Sequence, residues 1–241
     1  MPALSHSFRR TAIAGALIAL VGVHALLALK EGISNFYAQS AYQALNVGAM
    51  SEERLRGRGA TQVMQYLTES LRYSPNNAWA LEEMGALQVR MARILTDPID
   101  AFNALMAARS ANANIHKALL ERPTSPFVWA NLALAKLALK ELDGELLQAL
   151  RRADELGPWE PDVQKTVIFA SLTAWNLLDP EQQASVVRTM ERAARRDAQN
   201  VAKIAKSFNR LDLICAINNT QLQGGIGCSP GNNSKNMSNR P

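Results

Sequence analysis

One stretch constrains this chain more than any other: Pro123 to Pro161, reading PTSPFVWANLALAKLALKELDGELLQALRRADELGPWEP. Proline lacks a backbone N–H and is tolerated only in the first turn of a helix, so Pro123 and Pro126 set a helix start. Asp143-Gly144 marks a turn in the middle, and Gly157-Pro158 a stop. Between these breaks, apolar and small residues fall at Trp129, Leu132, Ala133, Leu146, Leu150 and Ala153, with Pro158 closing the unit. Large residues followed by small ones at helical spacing let two short antiparallel helices nest closely.

That spacing resembles the tetratricopeptide repeat, with one extra residue in the central turn. The same grammar recurs on both sides. Val63, Leu67 and Ser70 have the spacing of a second repeat helix, Ser74-Pro75-Asn76-Asn77 closes it, and Leu81, Met84 and Gly85 follow as large, large, small. Asp97-Pro98 reads as an N-cap with proline at the first helical position, opening a helix to Glu121 with Phe102, Leu105, Met106, Ile115, Leu119 and Leu120 as its expected core face. After Pro161 a third unit runs through EPDVQKTVIFASLTAWNLL and PEQQASVVRTMERAARRD, and a last helix over 198–217 is expected to cap the stack. Arg188, Arg192, Arg195 and Arg196 read as a solvated face near a helix C-terminus.

Aromatic residues are only 6% of the chain, Ala and Leu dominate, and no sustained alternation of Val, Ile and Thr appears, so the expected class is all-α. The net charge is +5, but Arg9, Arg10 and Lys30 flank the apolar N-terminus, and Lys235 and Arg240 lie in the tail. Setting these five aside leaves 21 basic against 21 acidic residues, so residues 31–217 are formally neutral. A nucleic-acid partner needs an excess of cations to meet phosphates. This body carries none.

From Thr11 to Leu29 the chain reads TAIAGALIALVGVHALLAL, with His24 its one ionisable side chain. That length matches the roughly 20 residues a helix needs to cross a bilayer. It exceeds the 7–15 residues of a signal-peptide core, and no small-x-small cleavage site follows closely. Arg9 and Arg10 precede it and a nearly balanced Lys30-Glu31 follows, so the positive-inside bias predicts a cytoplasmic N-terminus. The expected organisation is a cytoplasmic leader (1–10), a transmembrane helix (11–30), a stalk helix ending in a Gly57-Arg58-Gly59 hinge (31–58), a repeat domain (59–217) and a disordered tail (218–241). Phe36, Tyr37 and Tyr42 suit the headgroup zone. The Asn-, Gly- and Ser-rich tail has too few apolar residues to offset the entropy of ordering. Cys215 falls in an apolar stripe and is expected as a buried thiol, with Cys228 in the tail; pairing of the two is not obligatory.

The sequence holds no Cys-x-x-Cys, His-Glu-x-x-His, Gly-x-Ser-x-Gly or phosphate loop, and its three histidines lie far apart. His116 has no ligand-type residue at i+3 or i+4 and reads as a surface or satisfied histidine, and Met84, Met91 and Met106 as gap-filling core. No catalytic, cofactor or metal residues are therefore expected. Stacked helix pairs instead create a concave surface lined by the first helix of each pair. Glu82, Arg90, Asn131 and Gln164 are the expected partner-binding residues there, with Trp129 assigned to the core.

The N-terminal anchor, PTSPFVWANLALAKL, LGPWEPDVQ, the sequence Ala-Trp-Asn-Leu-Leu-Asp-Pro-Glu-Gln and a late Leu-Ile-Cys together are similar to small tetratricopeptide-like membrane proteins of bacterial exopolysaccharide clusters, of the VpsP type. The resemblance covers most of residues 10–217 and departs from the pattern in the extra turn residue and the Asn-rich tail. It implies an accessory role in polysaccharide assembly or export through protein contacts in the inner membrane, and the charge bias around residues 11–29 predicts a periplasmic repeat domain. It carries over no active-site residue. Two alternatives belong to other classes: an adaptor for another membrane complex, such as cytochrome assembly, and direct glycan binding. The latter is disfavoured because Trp79, Trp129 and Trp175 fall at core or junction positions, leaving Trp159 as the exposed ring.

Overall fold

A computed structural model describes residues 6–46, 53, 55, 57–95 and 97–215, and among them the chain is helical without a strand. The helices are α1 (His6–Asn46), α2 (Arg58–Tyr73), α3 (Ala78–Ile94), α4 (Ala101–Glu121), α5 (Pro126–Ala138), α6 (Gly144–Leu156), α7 (Pro161–Thr173), α8 (Pro180–Ser207) and α9 (Leu211–Cys215). Consecutive helices pair as α1 with α2, α3 with α4, α5 with α6 and α7 with α8. The pairs stack side by side, α3 on α5 and α5 on α7. This is the tetratricopeptide-like stack of antiparallel pairs that the spacing predicts.

Local chemistry sets the boundaries. The Asn77 side chain accepts from the amide of Ala80, Ser125 from Val128, Asp143 from Glu145 and Leu146, and Asp179 forms a reciprocal capping box with Gln182. The extra turn residue after α5 has a clear role. Lys140 adopts φ 59°, and the amide of Glu141 donates to the carbonyl of Lys136 at 2.9 Å, closing the helix as a Schellman motif.

The core is built from close approach. Gly85 of α3 faces Ile115 and the Ala111 carbonyl of α4, and a Cβ at Gly85 would stand 2.5 Å from Ile115 Cγ1. The buried stripe of α4 is accordingly Ala108, Ala111, Ile115 and Ala118. This corrects the expected core face. Phe102 and Leu120 each lie nine residues from Ala111, two and a half turns, which puts them on the opposite side of the helix. Phe102, Leu105, Met106 and Leu120 are exposed, Leu120 at 82%, and only Ile115 and the half-buried Leu119 face inward. Asp97 makes no capping bond; Pro98–Asp100 form a 3₁₀ turn ahead of α4.

The segment read as a stalk, 31–58, begins inside α1. Ser34, Ala38 and Ala41 are buried against α2, so the upper part of α1 serves as the first helix of the first pair. Tyr37 stacks on Tyr73 and Tyr42 meets the edge of Trp79, while Phe36 remains exposed. Gly57 sits at the N-cap of α2, with Arg58 and Gly59 already helical. Below Ser34, α1 is long and apolar enough to cross a membrane, and none of its most apolar window is buried.

At the other end, the expected boundary at Asp197 is visible as a kink inside α8, where Asp197 has φ −145° and its carboxylate caps Asn200. The single last helix over 198–217 is corrected to two pieces. Asn209 takes φ 54°, the amide of Arg210 donates to the carbonyl of Ala205, and α9 starts afresh at Leu211. Cys215 is disulfide-bonded rather than a thiol. Residues 216–241, including Cys228 and the expected tail, lie outside the described residues, as do residues 1–5.

Candidate functional site

The first helices of successive pairs present one continuous stripe to the concave side. On α3 the positions i, i+4, i+8 and i+11 are Glu82, Ala86, Arg90 and Arg93. On α5 the corresponding face carries Phe127, Ala130, Asn131 and Leu134, and on α7 it carries Asp162, Val163 and Thr166. Together with Trp79, Glu83 and Arg122, these line a groove of about 520 Å³.

The groove mixes both signs of charge. Glu82 is buried at 6% exposure, and an Arg122 nitrogen donates to its carboxylate at 2.7 Å. Burial nonetheless raises its pKa to about 7, because the loss of water outweighs the neighbouring guanidinium; Glu83 adds a smaller upward push. The pKa of Glu83 is also raised by burial and partly restored by Arg90. Arg93 stands 4.8 Å above the centre of the Phe169 ring. Three guanidinium groups, three carboxylates and the Asn131 amide suit hydrogen bonding to an extended peptide. The groove lining contains no histidine, cysteine or serine with which to pair a nucleophile and a base.

Of the four expected residues, Glu82, Arg90 and Asn131 meet in this groove, while Gln164 does not. Gln164 is 3% exposed and donates to the carbonyl of Pro158 at 2.7 Å, tying α7 to the turn before it. Sequence reasoning missed Arg93, Arg122, Phe127, Asp162 and Thr166. The i+11 step from Glu82 marks Arg93, and the i, i+4 step from Asp162 marks Thr166. Arg122 lies in a turn, where helical periodicity gives no signal. Trp129, expected in the core, is half-buried and packs against it, donating from Nε1 to the carbonyl of Pro123 at 2.8 Å.

Two polar clusters lie outside the groove. The Lys136 ammonium is 3% exposed and donates to Glu141 and Asp143 at 2.6 Å each, with Glu145 at 3.0 Å. Burial opposes its charge, but the hydrogen bonds to these carboxylates prevail and raise its pKa. His116 places Nδ1 on the Asn112 carbonyl and Nε2 on Glu145, both at 2.8 Å. Both partners are acceptors. In the second cluster, Arg192 pairs with Asp154, which also accepts from Thr189 at 2.7 Å. Arg192 thus ties α8 to α6, while Arg196 donates to the carbonyl of Trp159 at 3.1 Å. The remaining arginines of the run, Arg188 and Arg195, are exposed.

These features define an all-α protein of stacked antiparallel helix pairs with a mixed-charge concave groove, carried on a long apolar N-terminal helix. No protein-family model and no curated relative matches the chain. One similar solved structure is described as the crystal structure of PilW, a widely conserved type IV pilus biogenesis factor. It is 17% identical, with a TM-score of 0.36, over 82% of this chain and 96% of that one. A likeness at that score carries no functional argument, and the fold rests on the helix pairing itself.

Proposed function

We propose that this protein is a membrane-tethered scaffold whose concave groove holds a protein partner, and that it supports assembly or export of an extracellular polysaccharide. The observation that carries this reading is the convergence of Glu82, Arg90 and Asn131, from two different helices, on one open groove. Such a surface suits an extended or helical segment. The polysaccharide setting comes from the resemblance in residues 10–217. Placement follows the charge asymmetry around residues 11–29: inner membrane, N-terminus cytoplasmic, residues 59–217 periplasmic.

Deleting the gene and restoring it as wild type or as Arg90→Glu/Asn131→Ala tests the reading. Loss of extracellular polysaccharide on deletion, rescue by wild type and failure of the groove variant at equal membrane abundance is the expected result. Unchanged polysaccharide in the deletion strain rejects that role. Alkaline phosphatase fused after residue 60 should be active, and the reverse reporter pattern would sink the periplasmic placement.

A further inference from the structure

The turns that join successive pairs gather at one end of the stack, and contacts follow that end from the anchor outward. Glu31 accepts from the Ser74 hydroxyl at 2.9 Å, which ties the α2–α3 turn to a residue two past the apolar run. Arg122, in the α4–α5 turn, reaches Glu82 in the second turn of α3. Gly157, in the α6–α7 turn, lies so close to Pro126 that a Cβ there would stand 2.6 Å from Pro126 Cβ. The same end carries two large side chains that the fold leaves uncovered. Leu120 is 82% exposed and Trp159 is 61% exposed. Arg196 donates to the carbonyl of Trp159, and Lys117 is exposed one turn before the end of α4.

The distance to the bilayer is short. Ser34 is fully buried in the first helix pair and lies five residues past Leu29, a rise of about 7 Å along an unbroken helix. That is roughly the thickness of one headgroup layer. A stack fixed this close to the membrane holds its turn edge in the interfacial zone, where tryptophan rings and leucine side chains partition and arginine and lysine meet phosphates.

We propose that the turn edge of the repeat stack lies against the bilayer surface through Leu120 and Trp159, with Arg196 and Lys117 on lipid headgroups. This holds the groove side-on to the membrane. The inference rests on the reading of residues 11–30 as a membrane anchor.

Full-length protein in vesicles of equal parts phosphatidylcholine and phosphatidylglycerol, with and without acyl chains brominated near the headgroup, provides the test. Flotation first separates vesicle-bound from free chain. The emission of Trp159 is the difference between wild type and Trp159→Phe. Brominated chains should remove that emission and the emission added by Leu120→Trp. They should spare the emission added by Leu142→Trp, in the α5–α6 turn at the opposite end. If the protein floats but Trp159 and Leu120→Trp are unquenched, or if all three sites are quenched alike, the proposed contact is wrong while the anchor stands. A chain that fails to float overturns the anchor, and this inference with it.

Discussion

The hydroxyl of Ser34 lies 3.0 Å from the hydroxyl of Ser70, and both residues are fully buried. Ser34 belongs to the same helix as the apolar run and Ser70 to the first helix packed against it, so this hydrogen bond helps join anchor to stack. Asn77 extends the network, donating to Ser34 at 3.0 Å and to Asn35 at 3.3 Å while its own side-chain oxygen caps α3.

Replacing Asn77 removes a helix cap and two bonds across to α1 together. Asn77→Ala should destabilise the protein by about 1–3 kcal/mol, since a cap alone is worth about 1 and the two lost bonds to Ser34 and Asn35 add to the loss. Urea unfolding monitored by helical circular dichroism measures it, with Asn76→Ala, one exposed residue away, as a near-neutral control.

Gly85 is held small by Ile115 and the Ala111 carbonyl. Gly85→Ala should cost about 1–3 kcal/mol through overpacking, and Ile115→Ala, which removes the Cγ1 that the new Cβ would strike, should relieve part of that cost in the double variant. Additive costs in the full mutant cycle would mean that the two residues do not press on one another.

Glu82 gives the stability a pH dependence of definite sign. Its folded pKa is raised from 4.5 to about 7, so across that window the native state holds more protons than the unfolded chain. Stability contributed by the protonated form is therefore present below the window and lost as pH rises through it. Glu82→Gln should flatten this component, read as the difference between wild-type and variant denaturation midpoints below and above the window. Glu83, shifted in the same direction, remains in both proteins.

Lys136 holds three carboxylates at one helix start. The Asp143 carboxyl is kept below its ordinary range first by its bond to Lys136, and Glu145 first by its bond to His116 and then by Lys136. These depressed values stabilise the fold above the unfolded pKa, and that contribution is lost as pH falls through the folded pKa. Lys136→Met should raise both carboxyls, Asp143 more than Glu145, by NMR titration. Unmoved values would show that the backbone amides and His116 suffice.

The repeat grammar was legible because helix breakers and caps act within a few residues of where they stand. Pro126, Asp143, Gly157, Asp179 and even the kink at Asp197 bound elements where local chemistry predicts. The face of α4 was misread for a physical reason. Large apolar residues suggest a core, but the close approach demanded by Gly85 selects the alanine stripe of α4 and turns Phe102 and Leu120 outward. Gln164 was misplaced because the turn before α7 curls back under it and its amide finds the Pro158 carbonyl.

By itself the sequence determined the helical class, the breaks between helices, the apolar run at 11–29 and the neutrality of the body, all properties of short windows or of composition. Tertiary structure alone decided which helix completes the first pair, which residues share the groove and which apolar residues stay bare. Those outcomes depend on contacts between residues dozens of positions apart, as between Ser34 and Ser70 or Glu82 and Arg122. The interhelical distance, set by a single glycine or alanine, selects among several faces that the sequence leaves equally apolar.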